Sequence, residues 1–176
     1  MTAQGREGNY KARYRPYLIA MALAFVLTMI VAPERMEEDS MSPTIEEGQV
    51  VALMKMDYSE KRGAPERNQI VVLDKLVTEE WREQAGYRND NLIGRVVGMP
   101  GETISDGEML GDYPGPVTLT GNQIWLVQDS WPFDGEEEDY NGPYLDSRTM
   151  GPVELTDIRG RARWIVWPLT EIGGIK

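Results

Sequence analysis

The chain has 176 residues and a net charge of −11, from 18 Lys and Arg against 29 Asp and Glu. That length suits one compact domain with an added segment, and the acid excess argues against a nucleic-acid partner, which requires a basic footprint. There is no Cys and no His, so disulfides, thiol nucleophiles, histidine bases and the commonest metal ligands are excluded, and no cofactor is expected.

Residues 1–16 hold Arg6, Lys11, Arg13 and Arg15 against Glu7 alone, so this tail carries +3 and the remainder −14. Residues 17–32 (YLIAMALAFVLTMIVA) contain no charge. At about 1.5 Å per residue this run reaches roughly 24 Å, a little short of the roughly 30 Å hydrocarbon core. Tyr14 and Tyr17 can extend it at the headgroup level. A retained signal anchor, a cleaved signal peptide and a buried core helix all show such a run. Its end, Val31-Ala32-Pro33, lacks a small-x-small cleavage site. Only Thr28 interrupts the apolar surface, whereas a core helix usually keeps a polar face. The expected organisation is a cytoplasmic tail over 1–16, a transmembrane anchor over 17–32 and an extracytoplasmic domain over 33–176. The basic tail before the run, and Glu34, Glu37, Glu38 and Asp39 after it, set that orientation.

Beyond the anchor the signals are mostly β. Segments 49–56 (QVVALMKM), 69–74 (QIVVLD), 92–98 (LIGRVVG), 116–119, 124–127 and 162–167 are short apolar runs bounded by Gly, Pro, Asn or Asp. Segment 57–68 reads as a charged loop, 78–84 as a short helix with Thr78 as N-cap, and 132–143 (PFDGEEEDYNGP) as an acidic insertion. One mainly β domain is expected, without internal repeats.

Five stretches carry chemistry. Asp39-Ser40-Met41-Ser42-Pro43-Thr44-Ile45 lies just past the apolar run. Pro43 stiffens the turn around Ser40, and Met41 offers a soft apolar wall. Taken alone, this is a Ser/Pro turn after an anchor. Arg67-Asn68-Gln69-Ile70-Val71-Val72 leads into a predicted strand. Ile93-Gly94-Arg95-Val96-Val97-Gly98-Met99-Pro100-Gly101-Glu102 reads as a strand running into a tight turn. Trp125-Leu126-Val127-Gln128-Asp129 and, later, Asp146-Ser147-Arg148-Thr149-Met150-Gly151-Pro152-Val153 read by themselves as an Asp/Arg ion pair beside a turn.

In this order and spacing the stretches resemble the boxes of the type I signal peptidase family: Ser-Met-x-Pro-Thr, Arg-Gly-Asp-Ile-Val, Lys-Arg-x-x-Gly-x-Pro-Gly-Asp, Gly-Asp-Asn-Arg and Asp-Ser-Arg-x-x-Gly-x-Val. Segment 160–173 resembles the closing strand. The resemblance implies a signal-peptidase-like antiparallel β-sheet domain behind one transmembrane helix. It implies a serine endopeptidase that cleaves secretory precursors or signal-peptide segments after small residues, beside membrane lipid. Ser40 is then the nucleophile. Arg95, Asp129, Asp146, Ser147 and Arg148 support the site. Met41, Pro43 and Val96, with Val50 and Val71, line or support a substrate groove.

Three departures bear on activity. The family's general base is a lysine directly before the box arginine, and here that residue is Gly94. Glycine accepts no proton, and no His stands in for the lysine. Glu38 occupies a position that can give the oxyanion a hydroxyl, and Tyr144 occupies that of the serine that orients the lysine. Two functions stay open. One is a peptidase with a substitute base, for which Lys55, Lys75, Asp106 and Asp146 are candidates. The other is a non-catalytic relative, an accessory to surface-protein or pilus assembly with pilin or sortase clients outside a Gram-positive cell. The alignment also expects Ser40 within contact range of Gly94.

Overall fold

The computed structural model describes residues 4–37, 39–59, 61–74, 91–111, 113–130 and 145–175. The helix expected over 78–84, the acidic insertion over 132–143, and Glu38, Lys75 and Tyr144 lie outside the described residues.

A helix, α1, runs over Gln4–Ile30. Its Ala, Leu and Met content favours that state. Within it, Arg13–Ile30 is long and apolar enough to cross a membrane, and none of that stretch is buried against the rest of the protein. The helix stops two residues before the end of the apolar run. Val31 and Ala32 instead open strand β1 (Val31–Arg35), paired antiparallel with β2 (Val50–Lys55). Pro33 explains the switch: it cannot continue a helix and biases Ala32 toward extended backbone. Its missing N–H is harmless because β1 is an edge strand.

The remaining strands are β3 (Ile70–Asp74), β4 (Asn91–Gly98), β5 (Thr103–Ile104), β6 (Val117–Thr118), β7 (Gln123–Val127), β8 (Val153–Glu154), β9 (Ile158–Trp167) and β10 (Gly173–Gly174). The sheet order is β1-β2-β9-β3-β4-β7-β8, with β10 added to β9 and β5 paired separately with β6. Every pairing is antiparallel. The mainly β architecture expected from the sequence is therefore present.

Strand β9 starts four residues before the apolar run at 162–167, because Ile158, Gly160 and Ala162 alternate inward along it. Gly160 permits the β2–β9 approach: a Cβ there would lie 2.3 Å from the Met54 carbonyl oxygen.

Strands β3 and β4 send alternate residues into different cores. Val71, Leu73, Leu92 and Val96 join Ile124 and Leu126, whereas Ile70, Val72 and Ile93 join Met41, Ile45, Val51 and Leu53. Burial on both faces accounts for their unbroken apolar reading.

Candidate active site

The Ser40 stretch forms the connection between β1 and β2. Met36 N donates to Gln49 O (2.9 Å) and Gly48 N to Met36 O (2.8 Å), closing its base. Inside it, Ser42 N donates to Asp39 O and Ile45 N to Met41 O, both at 2.9 Å. Met41 and Ile45 are fully buried and hold the connection to the sheet through the Val51–Leu53 core. Ser40 itself is 9 % exposed. Its carbonyl accepts from Ser130 N at 3.2 Å, which ties it to the chain leaving β7. Pro43 lies on the surface.

Arg95 joins its own box to three others. It leaves β4 on the face of Ile93. Its Nε donates to Asp129 Oδ1 (2.8 Å) and its Nη2 to Asp129 Oδ2 (2.5 Å). Nη1 donates to Asn68 O (2.9 Å), and Nη2 also reaches Thr44 Oγ1 (3.2 Å). The hydrogen bond to Asp129 holds the guanidinium pKa above its ordinary value, against the opposing effect of burial. The bidentate fork fixes orientation as well as charge.

Asp146, Ser147 and Arg148 act from the other edge of β7. Asp146 caps the one-turn helix Ser147–Met150, accepting from Arg148 N at 2.9 Å. Arg148 Nε donates to both Asp146 oxygens, at 3.1 and 3.0 Å. Asp146 Oδ2 also accepts from Gln128 N (3.0 Å), and Ser147 Oγ from Leu126 N (2.9 Å). All three residues are buried. The resolved pairings are thus Arg95 with Asp129 and Arg148 with Asp146.

Glu102, in the place of the family aspartate, closes the turn after β4. Its Oε2 accepts from Met99 N at 2.9 Å and its Oε1 pairs with Arg67. The Met99 N–H first, and Arg67 second, hold its carboxyl below the usual carboxylate range. Asn68 takes a left-handed backbone (φ 67°) where the family box has glycine, and asparagine is among the side chains that tolerate it.

Gly94 is buried on β4 opposite Val71 of β3. On its other side, β4 pairs with β7 only from Arg95, which faces Val127. Gly94 therefore falls level with Gln128, one step past the last pair, and Gln128 is 1 % exposed. A Cβ on residue 94 would meet Leu126 Cβ at 3.3 Å and Val127 O at 3.5 Å. Val96, two residues on, is fully buried in the same core as Leu126. Met41 and Val96 thus lie in two different cores.

The candidate bases among the described residues are engaged elsewhere. Lys55 lies at the end of β2 away from the Ser40 connection, donating to Thr28 O at 3.1 Å. Asp106 caps the one-turn helix Gly107–Leu110 through Glu108 N at 2.9 Å. Asp146 holds Arg148. Among the described residues no side chain hydrogen-bonds the Ser40 hydroxyl, and no cluster of metal-ligating side chains occurs. Sequence reasoning missed Gln128, Leu126 and Thr44 as neighbours of the site. Gln128 in the glycine place of Gly-Asp-Asn-Arg was the available signal.

The family model for signal peptidase, peptidase S26, matches residues 12–109. The chain belongs to that family. It is similar to signal peptidase IB of Staphylococcus aureus, with 30% identity over 93 residues, covering 50% of this chain and 42% of that relative. It is also similar to signal peptidase I of Leptolyngbya laminosa, with 28% identity over 173 residues, covering 88% of this chain and 78% of the relative. The match spans less than half the length of the staphylococcal relative. Membership of the signal peptidase family agrees with the apolar helix α1 ahead of the sheet.

Proposed function

We propose that this signal peptidase relative is a membrane-anchored protein that binds extended segments of secretory precursors and does not hydrolyse them by the serine–lysine route. The observation that carries the reading is Gly94, buried against Leu126 where the resemblance sets the general base. Losing one member of a serine catalytic unit costs on the order of 10⁶ in turnover in the subtilisin example, which leaves an unassisted Ser40 without useful activity. Binding does not need the base. Along β4, residues 91–94 are paired with β3 but lie beyond the β7 pairing. A strand edge without a paired neighbour takes up an extended peptide through main-chain hydrogen bonds. In this reading α1 spans the bilayer, with the basic tail inside and the acidic sheet domain outside.

Retention of Ser40, with Met41 and Pro43 beside it, favours a second reading: an endopeptidase whose base comes from outside the described residues. The two separate in one experiment. Full-length protein in detergent is incubated with a precursor carrying an Ala-x-Ala site, beside Ser40→Ala, and both cleavage and fluorescence anisotropy of the labelled precursor are followed. The proposal expects binding by both proteins and cleavage by neither. Ser40-dependent cleavage overturns it in favour of the peptidase, and absence of binding overturns both readings.

A further inference from the structure

A small cleft of about 80 Å³ opens next to the Arg95–Asp129 pair. Val97 of β4 and Val127 of β7 give it an apolar lining and pack in the cluster of Leu110 and Trp125. Met109, on the one-turn helix Gly107–Leu110, completes that lining. Its backbone is fixed, because Met109 O accepts from Trp125 Nε1 at 2.8 Å and the neighbouring Leu110 is buried. Its side chain is 36 % exposed, which makes a soft, unbranched thioether the adaptable part of the cleft.

Charged groups line the cleft as well, and most are already matched. Arg95 donates to Asp129, Asn68 O and Thr44, while Arg148 donates to Asp146. Asp129 receives Arg95 at both of its oxygens. A charged visitor has to break one of these pairs or be buried without a partner, and either is costly. An apolar visitor leaves the pairs intact and covers Val97, Val127 and Met109. Glu108, exposed on the one-turn helix, is the lining carboxylate outside these pairs.

The cleft also lies where a bound segment has to leave the sheet. A peptide laid along residues 91–94 of β4 runs in the lane that β7 fills from Arg95 onward. Past Gly94 it meets the end of β7 and turns away at Asp129 and Ser130. Ser130 N donates to Ser40 O at 3.2 Å, and Asp129 lines the cleft. We propose that this cleft receives one aliphatic side chain, of the size of Val or Leu, from a secretory precursor segment bound along β4. A dry cavity of about 150 Å³ holds a benzene ring, and roughly half that volume suits a branched aliphatic group better than an aromatic one. The proposal rests on the peptide-binding reading above and adds a selectivity to it.

The test uses the full chain in detergent and the anisotropy of labelled precursors in which a single Leu is moved through a run of Ala on either side of an Ala-x-Ala site. The proposal expects one position at which Leu binds about tenfold more tightly than Ala, the low end of what an apolar pocket discriminates. Asp and Lys there bind no better than Ala. Met109→Trp fills the cleft and cancels the Leu preference at that position, whereas Met109→Ala widens it and moves the preference to Phe. Each result is a ratio within one variant, so a general loss of affinity does not imitate it. Binding of every precursor with no preferred position, or a Leu preference unaltered in both Met109 variants, overturns the cleft and leaves the peptide-binding reading standing. A preference for Lys that is lost in Glu108→Gln assigns the cleft to a cation and also overturns the proposal. Failure of every precursor to bind overturns the peptide-binding reading and the cleft with it.

Discussion

Lys55 Nζ donates to the carbonyl oxygen of Thr28 at 3.1 Å, so a strand residue completes the last turn of α1. The final carbonyls of a helix lack intrahelical donors, and a cation there also complements the helix dipole. Lys55 therefore serves the joint between anchor and sheet. Lys55→Ala should leave precursor binding unchanged and lower the melting temperature by about 1–3 °C, from a loss of roughly 0.5 kcal/mol. A change in Ser40-dependent chemistry in this variant would show instead that the lysine reaches the site.

The buried pair of Asp146 and Arg148 makes a sharper stability test, since its side chains are 0 % and 3 % exposed. Arg148→Met leaves a buried carboxylate without its countercharge and should cost about 3–5 kcal/mol. Asp146→Leu/Arg148→Met should recover part of that loss, because no lone charge remains. Recovery is incomplete, because the Gln128 N–H then loses its acceptor. Denaturant unfolding of the wild type, the single and the double variant measures the coupling.

Gly94→Lys alone should not restore hydrolysis. Its Cβ enters at 3.3 Å from Leu126 Cβ, and the strand register sets residue 94 level with the buried Gln128. The expected result is a destabilisation of about 1–3 kcal/mol from overpacking and no cleavage of an Ala-x-Ala precursor. Adding Gln128→Gly, which restores the family's glycine before the box aspartate, should relieve the strain, and Ser40-dependent cleavage is expected in that double variant. Equal stability of the Gly94→Lys single and double variants would refute the coupling between these two positions.

Glu102 gives the pH dependence. Its folded pKa is lowered, chiefly by the Met99 N–H and then by Arg67. Its stabilisation is therefore present above the ordinary carboxylate pKa and is lost as the pH falls through the lowered folded value. Glu102→Gln should narrow the difference in melting temperature between neutral and acid pH, with the variant and wild type converging at the acid end. Parallel curves would remove Glu102 from the linkage.

Much of the fold was legible in the sequence. Runs such as 69–74 and 92–98 marked β3 and β4 because both faces of these strands are buried, so their residues are uniformly apolar. Strand β1 was not legible: Pro33, Glu34 and Arg35 are poor strand residues, and only their pairing with β2 makes them one. The boxes singled out Ser40, Gly94 and Arg95 by resemblance, but not which carboxylate each arginine takes. That choice is set by the path of β7, which brings Asp129 to Arg95 and leaves Asp146 on the opposite edge. Gln128 was hidden for a related reason, since its burial follows from the strand register rather than from its residue type.

The direct passage from α1 into β1 has a mechanical consequence. With no flexible linker at the junction, and Lys55 fastening it, the anchor and sheet move as one lever. Five strand residues separate Ile30 from Met36, a reach of roughly 17 Å at about 3.4 Å per residue. The Ser40 connection begins just beyond. On the proposed reading, a client whose own apolar segment sits in the same bilayer is gauged by a built-in ruler: only the part of it at that fixed offset from its membrane segment meets Ser40, whatever its sequence.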